Sequence, residues 1–358
     1  MYIKELKNER EWETFLQASP EGTFYHSLKW KEVIQNSFPH HSLNHAIYLT
    51  IKDANGTIVG ICPGFIQTSM QMKIYHSTPY SDYGGPVMAG HCVEQASLSL
   101  RSFLQVFCSD KDIAYAKICF MDDKLAQSFK LPSGYVDANK GIIEIDLKAT
   151  PSDLIWKKVF SKNRRWKIRR FKRDGFQAQQ ARTKSDLIDF YDLYCKNMRY
   201  IGASPYPYEF IKNMWRILYP ENLRIWLVGK EERIGGIVVF KYGQRTYWAY
   251  AGIDRKQGYS RYSVVPYLLW KEIKTAEEEG YRYVSLGGTP SDPENPYYLQ
   301  KMSFGGSFRQ QKTVWCPFSS TGRILLQTRA KTIGAWRTIR NFLPIDIKRA
   351  LESRLSRF

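Results

Sequence analysis

Two spacings of apolar residues alternate along the chain and divide it into helices and strands. Apolar positions three and four apart over residues 9–18 and 29–37 predict two amphipathic helices. The runs HAIYLTIKD, TIVGICPGFIQT and MKIYHST are instead rich in β-branched and aromatic residues, and Ala54-Asn55-Gly56 separates the first two. Asn-Gly readily takes the positive φ angles of a tight hairpin, so these runs predict a meander of antiparallel strands. A helix over residues 93–107 and the strand AYAKICFM complete one α/β unit.

The second half repeats this order on a larger scale. GIIEIDL reads as a strand, and Pro151-Ser152-Asp153 after it is a helix-start signature, which puts a domain boundary near residue 145. A basic helix follows, then the strand FQAQQA, helices over residues 185–199 and 208–218, and the strands LRIWLVGK, RIGGIVVFKYG and RTYWAYAGI. Pro266 suits the first turn of a helix with Leu268, Leu269, Ile273 and Ala276 on one side and Gly280 at its end. The strand YRYVSLGG, a short helix near Leu299 and the strand RQQKTVWCP close the unit. No clear sequence repeat accompanies the repeated order. The expected fold is mixed α/β (α+β), with mainly antiparallel sheets flanked by helices. One unit spans residues 1–145, a similar one spans 146–320, and a basic amphipathic helical tail runs over 321–358.

Length and composition agree with two cores: 358 residues, 43% hydrophobic and 15% aromatic. Charges interrupt the opening MYIKELKNEREWETFLQ, and no later stretch reaches the roughly 18 apolar residues that cross a bilayer. A cytoplasmic protein is expected, with peripheral contact at the inner face of a membrane as a variant. Cys62, Cys92, Cys108, Cys119, Cys195 and Cys316 include no C-x-x-C pair, which argues for buried thiols over a zinc ribbon or a disulfide framework. His40, His41 and His45 are close together but lack acidic or cysteine partners at a metal-binding spacing, so no metal is expected.

Charge narrows the partners without choosing among them. The 53 Lys and Arg exceed the 34 Asp and Glu by a net +19, which attracts phosphate-rich molecules or an anionic membrane. From Lys162 to Arg173 there are eight basic and no acidic residues, with Trp166, Ile168 and Phe171 interleaved. On a helix, Arg164, Arg165 and Arg169 could grip an anionic substrate through paired guanidinium hydrogen bonds, or the helix could be a solvated basic face. From Arg323 to Phe358, nine basic and two acidic residues mix with Ile324, Leu325, Leu326, Trp336, Phe342, Leu343 and Leu351. Such a stretch suits an anionic membrane, a nucleic acid or packing on the core.

Between a predicted strand and helix, Asp254-Arg255-Lys256-Gln257-Gly258-Tyr259-Ser260 forms a glycine-bearing connection. Such a turn can aim backbone N–H groups at an anion while the helix start adds favourable partial charge, which makes Arg255, Gly258 and Ser260 donor-binding candidates. The alternative is a plain polar connection. In Ser81-Asp82-Tyr83-Gly84-Gly85, the two glycines permit close backbone approach to a ligand, or a tight turn whose aspartate satisfies backbone donors.

Taken together, Tyr25-His26-Ser27-Leu28-Lys29-Trp30, Ser81-Asp82-Tyr83-Gly84-Gly85, Asn163-Arg164-Arg165-Trp166-Lys167-Ile168-Arg169-Arg170, Gly287-Gly288 and Lys301-Met302-Ser303-Phe304-Gly305 follow one another in a telling order. Over residues 10 to 318 the chain resembles the Fem-type (FemAB-like) aminoacyltransferases of the GNAT superfamily, including the exosortase-associated and polysaccharide-biosynthesis relatives. The resemblance implies tandem GNAT-like domains and, in the second, a lysine that stabilises charge on the reacting carbonyl. Lys301 occupies that position, although Leu299-Gln300 replaces the aromatic residue usual before it. The 254–260 connection approximates the R-x-x-G-x-G/A loop of GNAT enzymes, with Ser260 in place of the final Gly or Ala. Asp254 and Tyr250 fall where two parallel strands of a GNAT fold diverge. With every histidine before position 92, they are the candidates to take a proton. The resemblance further assigns Asp82, Tyr83, Gly84 and Tyr25 to the acceptor.

The function expected is N-acyl transfer by direct attack of an amine of a cell-envelope precursor or related metabolite, itself nucleotide- or lipid-linked. No cofactor is tightly bound; acyl-CoA or aminoacyl-tRNA serves as co-substrate. There is no G-x-S-x-G elbow or other hydrolase signature. The rival reading is a non-catalytic protein whose basic surface holds nucleic acid or anionic membrane.

Overall fold

The computed structural model describes residues 1–38, 45–69, 72–121, 123–129, 134–255 and 263–339. They fall into two compact units, Met1–Ala138 together with the chain from Gln311 onward, and Asn139–Gln310. The first contains β1 (Tyr2–Glu5), α1 (Glu9–Ala18), α2 (Leu28–Ser37), β2 (His45–Ala46), β3 (Leu49–Lys52), β4 (Ile58–Cys62), β5 (Phe65–Ser69), β6 (Met72–His76), β7 (Val87–Met88), α3 (Val93–Asp110), β8 (Ile113–Phe120) and α4 (Asp123–Ser128). Strand β9 (Tyr135–Asp146) leads into the second unit. There follow α5 (Ser152–Leu154), a π-helical turn (Ile155–Val159), α6 (Lys162–Arg173), β10 (Gln177–Gln180), α7 (Lys184–Tyr200) and α8 (Tyr208–Leu218). Next come β11 (Leu223–Gly229), β12 (Arg233–Tyr242), β13 (Arg245–Ile253), α9 (Val264–Glu278), β14 (Tyr283–Pro290) and α10 (Pro296–Met302). Strand β15 (Ser307–Pro317) returns the chain to the first unit, where α11 (Ser320–Ile339) follows.

In the second unit the strands lie in the order β10-β11-β12-β13-β14-β9. All neighbours are antiparallel except β13 and β14, which run parallel with α9 as their crossover. Strand β11 is buried along its whole length, which explains its continuous apolar run. Its one charged residue, Arg224, is 1% exposed and pairs with Glu272 at 3.1 Å and with Glu279, while Trp226 Nε1 donates to Glu272 at 2.7 Å. Sequence spacing had nothing to say about this buried ionic cluster. Burial raises the Glu272 pKa, and Arg224 opposes that shift.

The first unit has the order β15-β8-β6-β5-β2 in one sheet and β1-β3-β4-β7 in another. Here too a parallel pair, β6 and β8, is joined through a helix, α3. The order of elements is therefore duplicated, as expected. The Asn55-Gly56 turn does join antiparallel neighbours, with Leu49 opposite Cys62. The single meander is corrected: TIVGICPGFIQT breaks at Pro63-Gly64 into β4 and β5, which belong to different sheets. Proline cannot donate to a ladder, and a Cβ at Gly64 would lie 2.2 Å from the Tyr75 ring. The start of the tail packs on this unit, with Leu326 buried and the Arg329 guanidinium 4.0 Å from the Trp315 ring centroid. The rest of the tail, including Phe342, Leu343 and Leu351, lies outside the described residues.

Candidate active site

The second unit offers its chemistry where β13 and β14 part. Their pairing is confined to Arg245–Tyr283, Thr246–Val284 and Tyr247–Ser285. Both strands continue beyond this point, β13 on β12 and β14 on β9. On β13, Val239 pairs with Trp248 and Val238 with Tyr250, so Ala249 is a bulge at the point of divergence. A bulge sharpens twist and re-aims the following side chains. Trp248 packs on the core that holds α9, whereas Tyr250 packs edge-on against Tyr194 of α7 and Phe210 of α8. The two residues thus serve opposite faces of the strand.

Helix α10 begins at Pro296 behind the N-cap Asn295, whose side chain accepts from the Tyr297 N–H, and it carries Lys301 in its last turn. Lys301 is 3% exposed rather than solvated. Its Nζ donates to the Gly288 carbonyl at 2.7 Å and stands 5.1 Å from the Trp248 ring centroid and 4.5 Å from that of Tyr297. A buried ammonium ion is tolerated where a carbonyl and aromatic faces replace part of its hydration. Gly288 lies just past a register shift in the β14–β9 pairing, which brings its carbonyl to the lysine. Gly287-Gly288 was legible as a motif; the parts played by Trp248 and Tyr297 were not.

Asp254 and Tyr250 lie on the α7 side. The Asp254 carboxylate, 7% exposed, is 3.6 Å from Lys196 Nζ. Lys196 is held above its usual pKa first by its bond to Asp192 and then by Asp254. Beside them the Arg255 Nε donates to Asn197 Oδ1 at 3.3 Å and its guanidinium covers the Tyr200 ring. Tyr250 sits in a tyrosine cluster in which burial pushes Tyr191 up to about 12. Gly258 and Ser260 lie outside the described residues.

Three of the arginines of α6, Arg164, Arg165 and Arg169, make contacts within their own unit. Arg164 donates to the Ser303 carbonyl and, at 2.6 Å, to the Ser303 hydroxyl; its guanidinium lies 4.4 Å from the Phe304 ring centroid. It therefore braces the turn after Lys301, and burial lowers its pKa. Arg165 donates to the carbonyls of Trp156 and Lys157, and Arg169 covers the Trp156 ring.

In the first unit, Tyr25 and Tyr83 are buried core rings stacked 5.8 Å apart. Asp82 is half-buried, and its carbonyl accepts from Gln311 Nε2 at 2.8 Å. Thr78 Oγ1 donates to the Tyr83 carbonyl at 2.7 Å, close enough to Gly84 that a Cβ there would lie 1.5 Å from it. Buried His26 ties the loop down: Nδ1 accepts from the Thr23 N–H at 3.2 Å, so Nε2 donates to the Gly85 carbonyl at 3.1 Å. Burial depresses the His26 pKa to about 4.

Among the described residues no helix is long and apolar enough to cross a membrane. Residues 159–297 match the acetyltransferase (GNAT) domain family. No curated protein sequence matches the chain. Solved structures extend the likeness in fold. A crystal structure of FemX has a TM-score of 0.70 at 12% identity over 89% of this chain and 98% of its own. A tandem GNAT protein from the clavulanic acid biosynthesis pathway gives 0.55 at 9% identity over 87% and 97% of the two chains. L-PGS from Bacillus licheniformis gives 0.55 at 12% identity over 98% of each. With its parallel strands splayed at a bulge, the segment 159–297 matches the acetyltransferase (GNAT) domain family, in a chain with the fold of FemX and of a tandem GNAT protein.

Proposed function

We propose that the protein is an N-acyltransferase that passes an activated acyl or aminoacyl group to an amine of a cell-envelope precursor or related metabolite, with its reaction centre in the second unit. The observation that carries this reading is the buried Lys301 ammonium beside the splay of β13 and β14. In the reaction, the amine lone pair forms a C–N bond to the acyl carbon and the carbonyl π pair moves onto oxygen. Collapse of that oxyanion re-forms C=O and expels the thiolate of coenzyme A or the ribose oxygen of tRNA, while the amine loses a proton. A fixed ammonium stabilises the oxyanion in a site shielded from water. Asp254 and Tyr250, the candidates to take the proton, lie on the α7 face of β13, opposite Lys301, so the proton would reach them through a chain of waters rather than directly. The Ser81–Gly85 loop, with Asp82, is the candidate for binding the acceptor.

Two donor classes fit the chain. The GNAT family match favours acyl-CoA, and the FemX-like fold together with the basic helix α6 favours aminoacyl-tRNA. Assaying transfer from acetyl-CoA and from alanyl-tRNA to a panel of amine-bearing envelope precursors separates them. Lys301→Met should lower transfer by about 10²-fold or more. Activity within about twofold of the wild type would refute the oxyanion role.

A further inference from the structure

Two buried donors, on the two strands that meet Lys301, have no hydrogen-bond partner among the described residues: the Trp248 indole N–H of β13 and the Thr289 hydroxyl of β14. Leaving either without a partner in the interior is costly, so such a group signals a ligand atom or a water. Each residue is tied to the contacts of one atom, Lys301 Nζ. Thr289 follows Gly288, whose carbonyl holds Lys301 Nζ, and the Trp248 ring covers the same Nζ at 5.1 Å.

Strand geometry puts Thr289 on the side of α10. It pairs directly with Gly141 across the β14–β9 ladder, and directly opposed residues of an antiparallel pair project to one face. A Cβ at Gly141 would lie 2.3 Å from the Phe308 ring, and that ring packs on Tyr298 of α10. Thr289 is 3% exposed, so its hydroxyl is held away from bulk water on the face that α10 covers. The bulge at Ala249 sends Trp248 to the α9 side and Tyr250 to the α7 side.

We infer that Trp248 Nε1 and Thr289 Oγ1 join Lys301 Nζ as hydrogen-bond donors to the carbonyl oxygen of the transferred acyl group. This rests on the acyltransferase reading and adds the oxygen's other contacts. An indole N–H can only donate, which suits it to an oxygen that gains negative charge as the C–N bond forms. The site would then accept acyl donors whose carbonyl oxygen reaches between α10 and the splay.

The test uses the full chain with whichever of acetyl-CoA or alanyl-tRNA the wild type accepts. Trp248→Phe keeps an aromatic face for Lys301 without the N–H, and Thr289→Val keeps the shape without the hydroxyl. Each should slow single-turnover transfer by about tenfold or more, with KM for the amine changed less than about twofold, because the contact strengthens in the transition state. Thr289→Ser should restore most of the rate. If both variants transfer within about twofold of the wild type, the inference falls while the acyltransferase reading stands. If the wild type transfers from neither donor, that reading falls, and a second measurement decides the subsite. The Trp248 indole N–H resonance, assigned by its loss in Trp248→Phe, is followed during titration with acetyl-CoA and with a 3′-amino-linked alanyl-adenosine. A downfield move with either probe supports the subsite; an unmoved Trp248 signal while other resonances shift overturns it.

Discussion

Acidification should loosen the first unit through a single histidine, and the size of the effect can be worked out. His26 is neutral in the fold because its Nδ1 accepts a backbone hydrogen bond while Nε2 donates to the Gly85 carbonyl. A second proton on Nδ1 would break the contact from the Thr23 N–H, leaving the Thr23 hydroxyl 2.7 Å away to accept it, and would put a charge in the core. Its pKa falls from 6.5 to about 4. A depressed folded-state pKa contributes stability above the unfolded pKa, and that stability drains away as pH falls toward the folded value. With those two values, lowering pH from 7 to 5 removes about 2 kcal/mol, most of it below pH 6.5. Half-buried His76, also shifted down by burial, adds to the loss in the wild type. The His26 share is isolated by His26→Gln, whose amide can still donate to Gly85 but does not titrate. Chemical denaturation would be followed by amide hydrogen exchange of first-unit residues at pH 7 and pH 5. The wild type should lose about 2 kcal/mol more than His26→Gln between the two pH values. Equal losses, within about 0.5 kcal/mol, would refute the assignment of a neutral buried imidazole.

Other substitutions probe the loop and the second core. Gly85 has φ +88 and a Cβ there would lie 1.7 Å from the Cys119 carbonyl oxygen. Gly85→Ala should therefore cost more than the roughly 1–2 kcal/mol of the left-handed backbone alone, read as a lower urea midpoint, whereas Gly90→Ala, with open space around it, should be nearly silent. Arg224→Met leaves the buried Glu272 without its countercharge and should cost about 3–5 kcal/mol in urea unfolding. The loss should shrink as pH falls, because the raised Glu272 pKa lets the carboxyl take up a proton. Arg224→Met combined with Glu272→Leu should recover most of it. Arg164→Met unbraces the turn at Ser303, and it should slow transfer while leaving the hydrogen exchange of β11 unchanged.

Periodicity alone determined much of the second unit. The continuous apolar run of β11, the strand patterns of β12 and β13 and the Pro266-to-Gly280 helix are local signals, because a strand or helix must turn a regular set of side chains to the core. The Asn55-Gly56 turn was legible for the same reason. Signals carried by partners distant in sequence were not. Pro63-Gly64 could be read as a break, but the close approach that requires Gly64 is to Tyr75, eleven residues beyond it. The short strand Tyr2–Glu5 exists because β3 supplies its hydrogen bonds. At the site, Lys301 was identified from its motif. Its burial, its bond to Gly288 and its aromatic walls come from a bulge at Ala249 and a register shift near Gly288. A one-residue offset in a ladder leaves no mark in residue type, yet it decides which face each later side chain serves. The sequence by itself therefore determined the elements and singled out the lysine as a candidate. Only the tertiary structure decided that Gly288 and Trp248 meet that lysine, while Tyr250 and Asp254 serve the opposite face, because strand register sets direction and register is a property of paired strands.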